Sequence, residues 1–383
     1  MKTTLFRCSL VIIALAFGSG IFCLLAYAGN KSKGPLDDLF TTVNSNVASL
    51  EKEMISTRES RSVALKWFDH YRNSTVVMNA PDTFFWGAYD DNTAESFESI
   101  VSLEDSLHTR LPIISLYTAW GNKKNEVFPL LKAQAIYDLG SIPMITWEPW
   151  LDDFDATKFD ITAESSNKNK DGLQAIANGR FDAYIDKWAQ DAKKFGAPFY
   201  LRFAHEMNDP YRYPWGPQNN QPGTFIAAWR HVADRFQKAG AKNVIWVWSP
   251  HPAYSYADFY PGHEYVNWIG TTIINYGTVA TWSQWWSFDD IFGKFYSNVS
   301  LYKKPIIVTE FGSLAVGGDR PAWFKQAFNA LPQKYPAVKA LVFFHVASDN
   351  TTTYKSLDWS FKNDAKVTAV IREVAMKEAG SKK

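Results

Sequence analysis

The feature that most constrains the fold is a repeat of strand and helix patterns that begins near residue 81. Eight short runs rich in Ile, Val, Phe and Trp occur before residue 346, and amphipathic stretches separate most of them. Strands that alternate with helices predict a parallel sheet covered by helices. Eight such repeats predict an α/β fold, the (β/α)8 TIM barrel. The predicted strands are Thr83–Ala88, Pro112–Tyr117, Ser141–Trp147, Pro198–Ala204, Asn243–Ser249, Trp268–Asn275, Pro305–Thr309 and Val338–His345.

The predicted helices would cover the outside of this barrel. They are Ala94–Leu107, Asn125–Leu139, Gly179–Phe195, Pro222–Ala239, Ser287–Leu301, Arg320–Tyr335 and Asn363–Met376. An open, doubly wound sheet is the alternative, but no glycine-rich phosphate-binding motif follows the first predicted strand. The polar insert at residues 151–178 forms either a wall of the active-site cleft or a surface excursion.

Residues 1–28 form a predicted signal peptide or single-pass membrane anchor. Lys2 and Arg7 precede the apolar run at residues 10–28, which ends in the cleavage-site-like Ala26-Tyr27-Ala28. The run is long for a signal peptide and close to the length of a membrane span, so cleavage and membrane attachment both stay open. Either outcome places the body outside the cytoplasm, as a secreted, periplasmic or anchored protein. Residues 29–80 are predicted to be a helical spacer, and residues 81–383 the barrel domain.

Composition excludes several classes of partner and cofactor. The chain has 40 basic and 39 acidic residues without a basic run in its body, which argues against nucleic acid and for a neutral substrate. Its two cysteines, Cys8 and Cys23, lie in the N-terminal segment, and the histidines lack metal-ligand spacing, so we expect no metal site and no cofactor. The 16 Trp and 18 Tyr suit stacking on sugar rings. We expect a monomer.

Unusual residues cluster at the carboxyl ends of the predicted strands, which in a barrel all meet on the active-site face. Two of them are carboxylates, Glu206 after the fourth strand and Glu310 after the seventh. Glycoside hydrolysis needs a protonated and an ionised carboxyl group, and a separation of about 5–5.5 Å favours retention of configuration. Glu148 is the rival carboxylate. The predicted substrate-binding aromatics at these ends include Trp86, Trp120, Trp147 and Trp248.

Two segments resemble glycoside hydrolase family 26. The sequence from Arg202 to Asn208, with Tyr213-Pro214-Trp215 behind it, is similar to the acid/base signature of the family, and the segment 305–312 is similar to its nucleophile strand. The resemblance covers about residues 81–375. It implies a barrel that hydrolyses β-linked polysaccharide with retention, Glu206 as acid/base and Glu310 as nucleophile.

The resemblance also implies roles for residues around the two carboxylates. His205 would orient the acid/base region and contact the −1 sugar, and Tyr276 would hydrogen-bond the nucleophile. Arg202 would support the carboxylates from below, while Trp215 and Tyr211 would lie along the sugar subsites.

Two departures from the family pattern affect substrate choice. Asp209-Pro210-Tyr211 stands where many family mannanases have Gly and a nearby Trp, and Ile274 stands where many have Asp. An endo-acting enzyme for β-1,4-mannan is slightly favoured on family frequency, with mixed-linkage β-1,3-1,4-glucan and β-1,3-xylan as alternatives. A non-hydrolytic glycan-binding or assembly protein is the alternative from another class, although both carboxylates argue against it.

Overall fold

The computed structural model of the protein describes residues 61–91, 97–121, 123, 126–154, 169–351 and 356–381. Eight parallel strands close into a barrel in sequence order, and the last pairs with the first. The predicted (β/α)8 TIM barrel is therefore confirmed. The strands β1 to β8 are Phe85–Asp90, Ile113–Ala119, Ile142–Glu148, Phe199–Phe203, Val244–Trp248, Trp268–Asn275, Ile306–Ser313 and Val338–His345.

Seven of the eleven helices in the described part of the chain overlap the predicted amphipathic stretches. In chain order, α1 to α11 are Arg61–Ala64, Asp69–Arg72, Thr75–Met78, Glu98–Leu107, Leu130–Asp138, Gly172–Ala177, Asp182–Phe195, Pro222–Ala239, Phe288–Val299, Arg320–Lys334 and Ala365–Ser381. The connection after β5 is loop-like, with two single 3₁₀ turns at Ala257–Phe259 and His263–Tyr265. Pro222 in the first turn of α8 and the left-handed Gly240 after it explain why that helix has the predicted bounds.

The core has two layers because side chains alternate across each strand. Tyr200 in β4 belongs to the cluster inside the barrel, whereas Leu201 belongs to the cluster between strands and helices. The same alternation puts Arg202 inside the barrel, above Tyr200. The interior is therefore apolar at its lower end and becomes polar toward the carboxyl ends of the strands.

The segment of the predicted spacer that the structure describes is part of the barrel domain. Phe68 and Met78 are fully buried in the cluster that fills the barrel interior. The indole of Trp268 donates to the carbonyl of Met78 at 2.9 Å, and Arg61 forms a buried ion pair with Glu104 at 2.7 Å. The prediction that the domain begins at residue 81 therefore needs correction. Phe68 and Met78 thus fill the lower end of the barrel from two short helical turns, and the polar residues around them in the chain gave no sign of it.

The predicted signal or anchor at residues 1–28 and the spacer as far as residue 60 lie outside the described residues. Among the described helices, none combines the length and the apolar character needed to cross a membrane.

Candidate active site

A bulge in β7 turns Glu310 toward the barrel interior. Val308 of β7 pairs with Thr271 of β6, and Glu310 pairs with the next residue, Thr272, so the residue between Val308 and Glu310 has no partner in β6. Thr309, the extra residue, donates its hydroxyl to the carbonyl of Thr271 at 3.0 Å. Regular alternation would have placed Glu310 on the same side as Val308, against the helices. Bulges beside active sites commonly redirect a side chain in this way.

Glu310 is held by one of its two carboxylate oxygens. Arg202 donates from Nη1 to Glu310 Oε1 at 2.6 Å, and the Tyr117 hydroxyl donates to the same oxygen at 2.8 Å. Arg202 itself is fully buried and is fixed by a second hydrogen bond, from Nε to Ser249 Oγ at 2.9 Å. Within the described part of the chain, no hydrogen bond reaches Oε2. The arrangement leaves Oε2 available for attack on a substrate.

The turn after β4 presents Glu206 in a strained conformation. Ala204 and Glu206 have φ values of 44° and 52°, and such conformations cost about 1–3 kcal/mol each in non-glycine residues. Neighbouring strands hold the turn in place: Ala204 N donates to the Trp147 carbonyl at 3.1 Å, and Glu206 N donates to the Ser249 carbonyl at 2.7 Å. Strain that the surroundings maintain in this way is common at functional sites.

The surroundings of Glu206 favour its ionised form. Its side chain is almost fully buried, with Arg212 Nη1 3.5 Å from Oε2 and no hydrogen-bond partner for Oε1 among the described residues. Burial raises the pKa of Glu206, but the nearby His251 and Arg212 outweigh it and lower that pKa below its usual value. The carboxylate is therefore ionised in the free protein at neutral pH.

His205 precedes Glu206 in the same turn and is held by two aromatic side chains. Its Nε2 is 3.0 Å from the Tyr213 hydroxyl, and its backbone carbonyl accepts from the indole of Trp215 at 2.7 Å. Burial, reinforced by Arg202, lowers the pKa of His205 well below its usual value, so the ring is neutral. Trp215 is itself buried beneath this ring. The prediction that it lies along the subsites is thus wrong, because the indole fixes His205 instead.

Glu148 is the third carboxyl group near the mouth. It ends β3 with Oε1 4.0 Å from His205 Nε2, and it accepts a hydrogen bond from Trp150 Nε1 at 3.2 Å. Burial raises the pKa of Glu148 to about 7, against the effects of Trp150 and Arg202. The group therefore changes charge near neutral pH.

Glu206, Asp209 and His251 form a group that could hold a metal ion, with one ligand atom from each within 4.8 Å of the others. Asn208 positions His251, because its side chain accepts from His251 N at 2.8 Å and donates to His251 O at 2.9 Å. His251 Nδ1 accepts from Ala253 N at 3.2 Å, which leaves Nε2 to carry the proton. A ring nitrogen that carries a hydrogen can donate a hydrogen bond but cannot ligate a metal ion.

Four tryptophans predicted to bind substrate lie in the core instead. Trp86, Trp120, Trp147 and Trp248 are between 0 and 6 % exposed and belong to the layer between strands and helices. Alternation along the strands is the reason. Trp147, for example, faces outward while Glu148 beside it faces the mouth. The prediction that these indoles contact substrate is therefore wrong.

A cleft of about 1210 Å³ opens beside the two carboxylates. Its wall includes Tyr211, Trp282 and Trp286, which are 79, 61 and 42 % exposed and which sequence reasoning only partly identified. Tyr276 also lines it and packs edge-on against Trp282, with ring centroids 5.0 Å apart. The tyrosine that the structure shows on Glu310 is Tyr117, which had not been singled out for this role.

Comparison with known proteins identifies the family. The model of glycosyl hydrolase family 26 matches residues 122–370. Endoglucanase H of Acetivibrio thermocellus is 35 % identical over 291 residues, which is 73 % of this chain and 29 % of the relative. The chain belongs to glycosyl hydrolase family 26. It spans less than a third of the length of the curated relatives that it matches.

The chain is also similar to other proteins over shorter alignments or at lower identity. A β-1,3-xylanase of a Vibrio species is 29 % identical over 124 residues, 30 % of this chain and 26 % of the relative. Among solved structures, a family 26 protein from a Muricauda species superimposes with a TM-score of 0.58 at 16 % identity, over 82 % of this chain and 89 % of the other. A Bacillus subtilis mannanase gives 0.54 at 19 % identity, over 81 % and 90 %. At these identities the structural likeness shows the fold alone.

Proposed function

We propose that the protein is a retaining endo-β-glycanase that works by double displacement. The observation that carries the proposal is the geometry of Glu310, whose Oε1 is held by Arg202 and Tyr117. Two donors on one oxygen hold the carboxylate in place and orient the other oxygen for attack. Such pre-orientation of a nucleophile supplies much of the acceleration in enzymes of this type.

The two steps follow from the chemistry of the carboxyl groups. In the first step, Glu310 Oε2 bonds to the anomeric carbon while the glycosidic C–O bond breaks, and Glu206 gives its proton to the leaving oxygen. In the second, Glu206 takes a proton from water, and the water oxygen replaces Glu310 on the anomeric carbon. Glu206 thus returns to its protonated state and Glu310 to its ionised state.

We propose a β-glucan with mixed 1,3 and 1,4 linkages as the preferred substrate. Support comes from the relative named an endoglucanase, which aligns with 73 % of the chain. Ile274, apolar and in the wall of the cleft, supports the same choice, because mannanases of the family commonly have a carboxylate at that position. Mannan, slightly favoured from the sequence, becomes the second candidate.

An endo mode of action is supported by the open cleft and its aromatic wall. Sugar rings present apolar C–H faces, and exposed aromatic side chains in a groove commonly mark a ligand site. Tyr211, Trp282 and Trp286 lie along one cleft beside the carboxylates, so they can hold several successive sugars.

The test is hydrolysis of purified mixed-linkage glucan, mannan, β-1,3-xylan and cellulose, read by product chromatography. We expect internal cleavage of mixed-linkage glucan first, and complete loss in Glu310→Ala. The matched control is Glu264→Ala, an exposed glutamate outside the cleft. Glu206→Ala should keep activity on aryl glycosides whose leaving group needs no proton. Full activity of Glu310→Ala would refute the assignment.

We also propose that the enzyme acts outside the cytoplasm, on the basis of the positively charged and apolar N-terminal residues 1–28. Fractionation of cells that express the full chain tests this, with activity expected in the medium, the periplasm or the membrane. Activity confined to the cytoplasm would contradict it.

A further inference from the structure

Arg212 links loops from opposite sides of the barrel. It lies on the loop after β4, where its Nη1 is 3.5 Å from Glu206 Oε2, and its Nη2 donates to Thr351 Oγ1 at 3.3 Å on the loop after β8. Strands four and eight are diametrically opposed in this barrel. Arg212 and Thr351 both line the large cleft. A glycosidic oxygen that takes a proton from Glu206 must therefore come close to the place that the guanidinium occupies.

The contacts of Arg212 are of a kind that a substrate can displace. Both of its hydrogen bonds are long, and the one to Thr351 is exposed to solvent. Arg202 differs in both respects, since it is fully buried and only 2.6 Å from its carboxylate partner. One arginine is thus enclosed in the interior, while the other is a quarter exposed, lies 5.3 Å from the Tyr213 ring centroid and lines the cleft that a substrate would enter.

Glu206 is surrounded by charged and titratable groups from several elements. These groups are Arg202 from β4, His205, Asp209, Arg212 and Tyr213 from the turn and loop that follow it, and His251 and Tyr254 from the loop after β5. Among them, Arg212 is the cation that also reaches across the mouth to the loop after β8. A change in the position of Arg212 alone therefore alters the charge around Glu206.

We propose that Arg212 is a positioning residue that controls the proton of Glu206: it pairs with the carboxylate in the free enzyme and yields its place to the substrate. The inference rests on the proposed function. When a sugar displaces the guanidinium, the buried Glu206 loses one of its cations and takes up a proton from solvent. That proton then passes to the leaving oxygen as the glycosidic bond breaks, and the carboxylate that forms is again stabilised when Arg212 returns.

The electrostatics agree with this sequence of events. Burial raises the pKa of Glu206, whereas His251 and Arg212 lower it. Removal of the Arg212 charge leaves the effect of burial and weakens the opposing effect, so the pKa must rise. An opposite charge at this range shifts a carboxyl pKa by about 1–3 units.

The experiment compares Arg212→Met with Arg212→Lys, which keeps the charge. Arg235→Met is the matched control, because Arg235 pairs with Asp186 on the outer helices. The measurement is kcat/KM against pH on a glucan oligosaccharide. We expect the alkaline limb of the kcat/KM profile to shift to higher pH by at least about one pH unit in Arg212→Met. The limb should keep its wild-type position in Arg212→Lys and Arg235→Met.

A second substrate separates proton control from a general loss of structure. A dinitrophenyl glycoside leaves without a proton, so its kcat/KM should show no alkaline limb from Glu206 in either the wild type or Arg212→Met. An unmoved limb on the oligosaccharide would overturn the inference, as would an equal shift on both substrates. If the wild type hydrolyses no glycan at all, the proposed function fails first.

Discussion

Tyr117→Phe is the change that tests the support of Glu310 most finely. It removes the hydroxyl that donates to Glu310 Oε1 at 2.8 Å and leaves the ring, which packs on Tyr89 with centroids 4.7 Å apart. A hydrogen bond to a charged group contributes about 1.5–3 kcal/mol, and each 1.4 kcal/mol in the barrier is about tenfold in rate. Arg202 still holds the same oxygen, so we expect the lower part of this range, a fall in kcat of about 10–30-fold.

The assay is the rate of inactivation by a 2-fluoro glycoside, which reports formation of the glycosyl-enzyme alone, together with kcat on glucan. Tyr335→Phe is a matched control, because its hydroxyl also donates to a carboxylate, Asp289, at 2.8 Å, but among outer helices. We expect the control to keep wild-type kcat. A Tyr117→Phe enzyme with both rates within about twofold of the wild type would refute this account of how Glu310 is oriented.

Three further predictions follow from the structure. Burial raises the pKa of Glu148 to about 7, so Glu148 becomes anionic above that pH. In a titration of KM against pH, the KM of the wild type should rise between pH 6 and 8. The KM of Glu148→Gln, whose side chain mimics the neutral form, should not change over this range. Trp282→Ala should raise KM for polymer about tenfold, since about 50 Å² of ring face is worth about 1.3 kcal/mol, while the exposed Leu301→Ala should not. Phe68→Ala should lower the free energy of unfolding by about 3–5 kcal/mol in a urea titration, because Phe68 is fully buried in the lower barrel.

The barrel could be predicted because its strands are continuous apolar runs between polar connections. All eight were located to within a few residues, and β6 and β8 have the predicted bounds. The N-terminal boundary of the barrel domain was not predicted correctly, for the opposite reason. Phe68 and Met78 are two buried residues within polar sequence, and their partners lie far away in the chain. A local pattern cannot reveal a contact of that range.

The site was predicted less completely than the fold. Glu206 and Glu310 were identified by residue type and position, but the orientation of Glu310 depends on a bulge that no composition signals. The outward orientation of the strand tryptophans could have been predicted, because period-two alternation places Trp147 and Glu148 on opposite faces of the strand. The same alternation points to Tyr117, which shares the inner face of β2 with Ile113.

The central claim is that Glu310 attacks the sugar and Glu206 serves both steps. The most direct test is proton NMR of the products in the first minutes of glucan hydrolysis, before mutarotation. Double displacement predicts that the β-anomer of the new reducing end appears first. Initial formation of the α-anomer would mean a single displacement by water and would contradict the role assigned to Glu310.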